Sequence, residues 1–416
     1  MRLLFGCGVS NSKTIRTEII DAHQTSCKHC QEVMQAAASW KTLITKHPVH
    51  AMTPRSVSSP KKFLIGAGLF NQVGEYIAEH GDFVCIIADP FFHQRIVEQT
   101  VPQLTAQGIR AHVEMFGGEC TTDEVARLEA AVKAAGCNVL LGVGGGKGLD
   151  VTKAVAHNCK LPQILVPTIA STDAPCTALA VIYKPNGEFD HYLFMPHNPD
   201  TVLADTTIIA QAPARFFAAG VGDALATYFE ARATWRCNGT NLILKRPSRT
   251  GLGLGEMCYD ILRKNINAAM DAVRNHAVTP ALEETIEATI YLSGVGAEAA
   301  GVAAAHAVNN GMAVVPALHH AQHGEKVAFG LLTQLVLENA PLEEVEEVIR
   351  IIKAAGLPLS LRDFGLTEWV EAEWRQVAKV ACDKNDTMGN MGRAISEDEV
   401  YDAMLAANAL AERYHD

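Results

Sequence analysis

Over residues 62–211, short apolar runs alternate with segments in which apolar residues recur at helical spacing. Short runs such as FVCIIAD (83–89) and NVLLGVGGG (138–146) are apolar almost throughout, which is typical of strands buried on both faces. The segments between them, for example 122–135, place apolar residues at helical spacing. This alternation predicts a largely parallel, Rossmann-like sheet with helices on both faces. The further predicted elements are helices over 94–107 and 149–158 and strands over 110–116, 163–168 and 201–206.

A hairpin closes this region, and only helices are predicted after it. Residues 178–194 predict the hairpin, because Lys184-Pro185-Asn186-Gly187 has strong turn chemistry. Beyond residue 211, apolar residues recur at helical spacing. We therefore expect an α/β domain over 53–211, followed by an all-helical domain over 212–416. The predicted helices of the second domain are 214–233, 253–274, 281–312, 323–338, 342–354 and 397–413.

The first 52 residues differ from the rest, because they lack a strong apolar periodicity. They contain Cys27-Lys28-His29-Cys30, which is either half of a zinc site or an unpaired thiol pair in a loose tail. We predict that residues 1–52 are an extension that is disordered or not native. In the second case Met52 is the native start.

Composition narrows the class of protein. Of 416 residues, 48% are hydrophobic and 19% are charged, which is ordinary for a globular chain and excludes disorder as the main state. The net charge is −11, whereas nucleic-acid-binding proteins usually carry an excess of basic residues. No apolar run reaches the roughly 18 residues that span a bilayer. The spacing of the 11 cysteines does not indicate a disulfide framework, so we expect a cytoplasmic protein with reduced thiols. From the charge and the lengths of the apolar runs we expect no nucleic-acid or membrane partner.

A glycine-rich turn follows one predicted strand and precedes a helix. In residues 144–150, Gly146 lets the backbone approach a ligand, and Lys147 adds a cation near the helix N-terminus, which together favour a phosphate group. The turn matches neither a Walker A loop nor GxGxxG, and a purely structural turn is the alternative. Asp89 ends the strand 83–89, where it could bind ribose hydroxyls and disfavour NADP, or could simply cap the next helix.

Two histidines and one aspartate have the composition of a catalytic metal site. His306 lies in an apolar helical segment, His323 opens the next one, and Asp223 lies in an apolar helix, where a lone carboxylate is costly. Two imidazoles and one carboxylate leave a fourth coordination position open, which is the pattern of catalytic zinc. Core histidines without a ligand are the alternative.

Four segments carry a resemblance to a known family: PTIASTDAPCTALAVIY (167–183), APARFFAAGVGDALATYFEAR (212–232), AAAHAV (303–308) and HGEKVAFGLLTQLVLENAP (323–341). Over about residues 60–416 the chain resembles the glycerol dehydrogenases, in the zinc-using branch of the iron-containing alcohol dehydrogenase superfamily. The resemblance implies a dehydroquinate synthase-like fold, in which an NAD-binding α/β domain and a helical metal-binding domain enclose the site.

The resemblance also implies an activity and its residues. The activity is NAD-dependent oxidation of glycerol to dihydroxyacetone, or of related small vicinal diols, in a homo-oligomer that is an octamer in relatives. Asp223, His306 and His323 would bind Zn²⁺ in preference to Fe²⁺, while Asp173 and His306 would contact the substrate as catalytic residues. The implied NAD contacts are Asp89, Gly146, Lys147, Thr168, Ser171, Thr177, Leu179 and Tyr183.

Three positions depart from the family pattern and leave the substrate preference open. They are Gly148 after the glycine turn, Asn309 where relatives commonly have a second histidine, and Ala297 where relatives often have phenylalanine. We expect Ala297 to open space for larger diols. Two other functions remain open: an enzyme of the same fold acting on a different or phosphorylated polyol, which would need further Lys or Arg in the cleft, and a degenerate NAD-binding paralogue.

Overall fold

The computed structural model describes residues 53–415. The predicted extension, with Cys27 and Cys30, lies outside the described residues. Residues Pro54–Asp416 form one compact unit. Its first half contains the strands and its second half is helical. The predicted fold class is therefore confirmed.

The central sheet has six parallel strands in the order β1-β8-β5-β4-β2-β3, and β6 and β7 form a separate antiparallel hairpin. The middle strands β4, β5 and β8 are buried along their whole length, because helices cover both faces of the sheet. The strands are β1 (Lys62–Gly66), β2 (Phe83–Ala88), β3 (Arg110–Met115), β4 (Val139–Gly144), β5 (Gln163–Pro167), β6 (Leu179–Tyr183), β7 (Phe189–Phe194) and β8 (Thr201–Asp205).

Helices connect these strands. They are α1 (Val73–Ala78), α2 (Pro90–Arg95), α3 (Val101–Ala106), α4 (Thr122–Ala135), α5 (Gly146–Cys159) and α6 (Thr206–Ala210). The π-helical turn Ile96–Thr100 joins α2 to α3, so the predicted helix over 94–107 begins earlier, at Pro90. Helix α5 also begins earlier than predicted, because its first residues are the glycines themselves.

The second half of the chain contains nine α-helices among the described residues. They are α7 (Ala214–Cys237), α8 (Arg249–Arg274), α9 (Pro280–Glu287), α10 (Ser293–Ala300), α11 (Ala304–Met312), α12 (His323–Leu337), α13 (Leu342–Ala355), α14 (Glu371–Ala381) and α15 (Glu397–Glu412). The sequence analysis did not mark α14. One large apolar core joins Leu165 and Val202 of the sheet to Phe217, Leu262 and Leu331 of these helices.

The prediction of a single helix over 281–312 is wrong. Its first part passes through a π-helical turn and ends at Ala300, and α11 starts again after a bend of 104°. The bend lies at Gly301, whose φ of 97° disfavours side chains, and a Cβ there would lie 2.9 Å from the carbonyl oxygen of Thr240. Residue periodicity continues across this point, so spacing alone could not reveal the break.

No single helix between residues 53 and 415 is long and apolar enough to cross a membrane. By length and composition together, the bent pair Pro280–Ala300 and Ala304–Met312 passes that test.

Candidate active site

Two glycines bring the N-terminus of α12 against the middle of α7. A Cβ on Gly222 would lie 2.3 Å from the carbonyl oxygen of Gly324, and a Cβ on Gly324 would lie 1.7 Å from that of Ala219. The backbones touch because neither glycine has a side chain. Since Asp223 follows Gly222 and His323 precedes Gly324, the same contact brings these two side chains together.

Asp223, His306 and His323 form the one cluster of metal-ligating side chains found among residues 53–415. Their ligand atoms lie within 4.8 Å of one another, and Oδ1 of Asp223 is 3.3 Å from Nε2 of each histidine. Tetrahedral ligands at zinc bond lengths of about 2.0–2.2 Å lie about 3.3–3.6 Å apart. Oδ1 of Asp223 is buried, and apart from the two imidazoles it has no polar partner among the described residues. The trio therefore fits a divalent ion.

A buried carboxylate that the sequence analysis missed holds His306 in place. Oε2 of Glu230 lies 2.6 Å from Nδ1 of His306, and its Oε1 accepts the backbone N–H groups of Ala303 and His306 at 2.7 and 2.9 Å. Glu230 is fully buried on α7, two helical turns beyond Asp223. It caps α11 just after the bend and holds a proton on Nδ1 of His306, so that Nε2 is the nitrogen that could bind a metal.

The charges of the cluster support one another. Burial opposes the charged form of His306, but Glu230 and Asp223 outweigh it and hold the pKa of His306 well above its usual value. Burial also opposes ionisation of Asp223, yet the two histidines hold its pKa below the usual range. A carboxylate that stays ionised beside two imidazoles is a suitable cation ligand. A divalent ion bound there would replace the proton at Nε2 of His306.

Asp173 lies beside the metal cluster on the loop that follows β5. Its backbone N–H donates to Oδ2 of Asp223 at 3.3 Å, and its own Oδ2 accepts a hydrogen bond from Ser293 at 2.8 Å. Burial, and secondly the charge of Asp223, raise the pKa of Asp173. Glycines pack against this loop on both sides, because a Cβ on Gly220 would lie 1.9 Å from the oxygen of Ala170, and one on Gly294 would lie 2.7 Å from that of Asp173.

The glycine turn lies at the carboxyl edge of the sheet, beside the same loop. Gly146 begins α5, and the preceding Gly145 offers no capping side chain, so the first N–H groups of the helix are available to a ligand. The backbone N–H of Thr168 bonds to the oxygen of Gly144 at 3.0 Å, which joins β5 to the turn. Lys147 lies 4.8 Å from the ring centre of Tyr183 and pairs with Glu119 at 2.6 Å.

Asp89 follows β2 at this edge, and one of its oxygens caps a helix. Oδ1 accepts the backbone N–H of Phe91 at 2.9 Å, and its own N–H bonds to the oxygen of Val143. The capping alternative is thus observed. The carboxylate also lies against the glycine turn, with its Cβ 3.2 Å from the position of a Cβ on Gly144. Its contact with ribose stays a prediction.

The comparisons with known proteins agree with this geometry. The family model "Iron-containing alcohol dehydrogenase" matches residues 60–206. A glycerol dehydrogenase of Escherichia coli is 47% identical and covers 86% of this chain and 98% of its own length. A glycolaldehyde reductase of Halobacterium salinarum is 37% identical, covering 86% and 98%. The solved glycerol dehydrogenase of Schizosaccharomyces pombe superposes with a TM-score of 0.83 at 33% identity, covering 87% and 92%.

The chain belongs to the iron-containing alcohol dehydrogenase family. The resemblance found in the sequence is therefore confirmed.

A buried lysine that the sequence analysis missed holds Thr177 and Leu179, two of the remaining predicted NAD contacts, in this family member. Lys153 of α5 is fully buried and pairs with Asp150 at 2.9 Å. Its ammonium also donates to the carbonyl oxygens of Ala174 at 2.7 Å and of Leu179, and to the hydroxyl of Thr177 at 3.2 Å. The hydrophobic periodicity of the sequence does not indicate this role, because Lys153 occupies an ordinary position in the helical pattern.

The three departures from the family pattern lie in buried positions. A Cβ on Gly148 would make only ordinary contact with Phe116 at 3.5 Å, so the small residue leaves space there. Asn309 is buried, and its Oδ1 has no hydrogen-bond partner in the described part of the chain. Ala297 is buried within α10. Its effect on substrate size stays a prediction.

Proposed function

We propose that the chain is an NAD-dependent glycerol dehydrogenase that oxidises glycerol to dihydroxyacetone and also accepts related small vicinal diols. The observation that carries this proposal is the cluster of Asp223, His306 and His323, whose buried carboxylate oxygen has no polar partner besides the two imidazoles among the described residues, next to Asp173. The family and the glycerol dehydrogenases among its relatives support the same activity. A phosphorylated polyol and a non-catalytic role are less favoured, because the similar proteins are named as enzymes of unphosphorylated substrates, glycerol and glycolaldehyde.

Asp223, His306 and His323 are the residues that would hold the divalent ion, with Zn²⁺ preferred over Fe²⁺. When bound, the ion supplies Lewis acidity to a substrate hydroxyl, and NAD accepts the hydride. Glu230 fixes the ring of His306, so that Nε2 faces the cluster. The reacting carbon would lie between this cluster and the cofactor cradle, the proposed NAD site at the glycine turn and the loop after β5.

Asp173 would bind the second hydroxyl of a vicinal diol. Ser293 already donates to one oxygen of this carboxylate, and the glycine contacts on both sides hold its loop in place. A carboxylate oxygen at a fixed distance from the metal cluster selects substrates with two adjacent hydroxyls. A monohydric alcohol would leave this polar group unpaired, which is unfavourable in a half-buried site.

The cofactor would lie along the carboxyl edge of the sheet. Gly146 and Lys147 would bind the pyrophosphate, and Asp89 would bind the ribose and repel a 2′-phosphate, which favours NAD over NADP. The wall of the cradle is formed by Thr168, Ser171, Thr177, Leu179 and Tyr183.

The remaining assignments concern organisation. We propose that residues 53–211 bind NAD and that residues 212–416 bind the metal, with the site in the cleft between them. The enzyme would act in the cytoplasm as a homo-oligomer, an octamer by family resemblance.

The activity is tested directly by NADH formation from glycerol. The purified full chain should reduce NAD with glycerol, lose activity on chelation, and recover it when Zn²⁺ is returned. Glycolaldehyde with NADH, glycerol phosphate with NAD, and 1-propanol with NAD are parallel assays. Preference for glycerol phosphate, or no turnover of any of these substrates by the metal-loaded enzyme, would overturn the proposal.

A further inference from the structure

One lysine of the helical region lies near the glycine turn without forming an ion pair among residues 53–415. Lys326 lies on α12, three residues after the metal ligand His323, so the two side chains lie on neighbouring parts of one helix face. Among residues 53–415, the ammonium of Lys326 makes no hydrogen bond or ion pair. Burial and the nearby charge of Lys147 lower the pKa of Lys326 to about 8. A half-buried cation thus lies close to a second one.

The acid next to Lys326 in the sequence is bound elsewhere. Both carboxylate oxygens of Glu325 accept hydrogen bonds from Arg215, at 2.6 and 2.8 Å. Oε2 of Glu325 also caps α12, by accepting the backbone N–H of Gln322 at 2.8 Å. Both oxygens of Glu325 are therefore occupied, and its charge acts on Lys326 without forming an ion pair with it.

The two lysines lie on different elements that meet at the same place. Lys147 is the second residue of α5, whose first residue Gly146 lies against the loop after β5, since a Cβ there would lie 2.9 Å from Oγ1 of Thr172. The backbone N–H of the adjacent Asp173 donates to Asp223, whose Oδ1 lies 3.3 Å from Nε2 of His323 at the start of α12. The N-terminal turns of α5 and α12 therefore lie near the same loop. A buried ammonium beside a like charge is unfavourable, and an anion placed between the two removes the cost.

The surroundings of the two lysines define the kind of anion. The first turn of α5, which contains Lys147, has no capping side chain, so its N–H groups are available to a ligand. Gly146 lies close to the loop after β5. Backbone N–H groups, two lysines and close backbone approach suit a group with several oxygens and more than one charge, such as a pyrophosphate.

We propose that Lys326 is a phosphate-binding residue, and that it binds the pyrophosphate of the dinucleotide from the helical side, opposite Lys147. The proposal rests on the proposed use of NAD and adds a residue from the second half of the chain to the cofactor site. Lys147 has Glu119 as a partner before the cofactor binds, whereas Lys326 forms no ion pair within the described part of the chain. Lys326 would therefore form its first direct ion pair with the cofactor.

The test uses ADP-ribose, which contains the pyrophosphate but no nicotinamide, and the full-length chain. Lys326→Gln should weaken ADP-ribose binding about tenfold or more in calorimetry, as expected for a lost charge-assisted hydrogen bond. Lys326→Arg keeps the charge and should remain within a few-fold of the unaltered chain. Lys264→Gln removes an exposed lysine of α8 and serves as the matched control.

Two further readouts separate binding from misfolding. Without ligand, Lys326→Gln should melt at a higher temperature than the unaltered chain, because it loses an uncompensated charge. The ADP-ribose affinity of the unaltered chain should also fall more steeply with added salt than that of Lys326→Gln. A lower melting temperature without ligand, or equal salt dependence, would contradict the proposal.

Binding of ADP-ribose is compared with binding of glycerol phosphate, to determine whether Lys326 binds the phosphate of the cofactor or of a substrate. Equal ADP-ribose affinity in the unaltered chain and Lys326→Gln overturns the proposal. So does a loss confined to glycerol phosphate, which would assign Lys326 to the substrate. If the unaltered chain binds neither NAD nor ADP-ribose, the proposed function itself fails, and this result is distinct from a failure of Lys326 alone.

Discussion

The metal cluster and the cofactor cradle are built on different physical principles. Asp223, His306 and Glu230 are held by buried hydrogen bonds and by helix backbones in direct contact. The cradle instead offers free backbone N–H groups and exposed side chains that already have partners, such as Lys147 with Glu119. One end of the site is thus preorganised, while the other end must exchange partners when a ligand binds.

This difference predicts where substitutions act. Changes that touch the metal cluster should alter folding or metal affinity, because its ligands depend on packing. Changes at Lys147 and Asp89 should alter cofactor affinity and choice while the fold remains intact, since these two charged side chains are in part solvated, unlike the buried Lys153.

Gly324→Ala should break the helix contact that brings Asp223 and His323 together. The new Cβ would lie 1.7 Å from the carbonyl oxygen of Ala219, so α12 must move away. We expect a loss of about 3 kcal/mol or more in the free energy of unfolding of the metal-free chain, measured with urea. Gly253→Ala is the control, because open space surrounds Gly253 within α8, and a gain of up to about 1 kcal/mol is expected there. Equal effects of the two substitutions would refute the close contact.

Glu230→Gln should weaken metal binding without removing a ligand. The amide keeps an oxygen for the N–H groups of α11 but loses the charge that orients His306. We expect metal affinity to fall about 10- to 100-fold in competition with a chelating dye. Glu256→Gln, on the exposed face of α8, should change nothing. Unaltered affinity in Glu230→Gln would show that His306 is oriented by other groups.

Asp89→Ser should change cofactor choice and little else. Serine can still cap α2, as one oxygen of Asp89 does now, but it no longer repels a 2′-phosphate. The preference for NAD over NADP, measured as the ratio of kcat/KM values, should fall about tenfold. The exposed Asp123→Ser is the control. A preference that does not change would leave Asp89 with its capping role only.

The same division explains how far the sequence could predict the molecule. The alternating periodicities predicted the parallel sheet and the helical half, because burial determines those patterns. The metal trio could be proposed because ligands must be particular residue types. Glu230 and Lys153 escaped notice, since each occupies an ordinary helical position and becomes significant only through contacts 76 and 21 to 26 residues away. The break at Gly301 escaped for a related reason, because it depends on crowding by Thr240.

The central claim is that Asp223, His306 and His323 bind one divalent ion. The most direct test is the metal content of the purified chain by mass spectrometry, alongside His323→Ala and the control His320→Ala, whose exposed imidazole lies outside the cluster. The unaltered chain and His320→Ala should each contain about one ion per chain, and His323→Ala should lose most of it, because two ligands hold zinc poorly. Full metal content in His323→Ala would contradict the account.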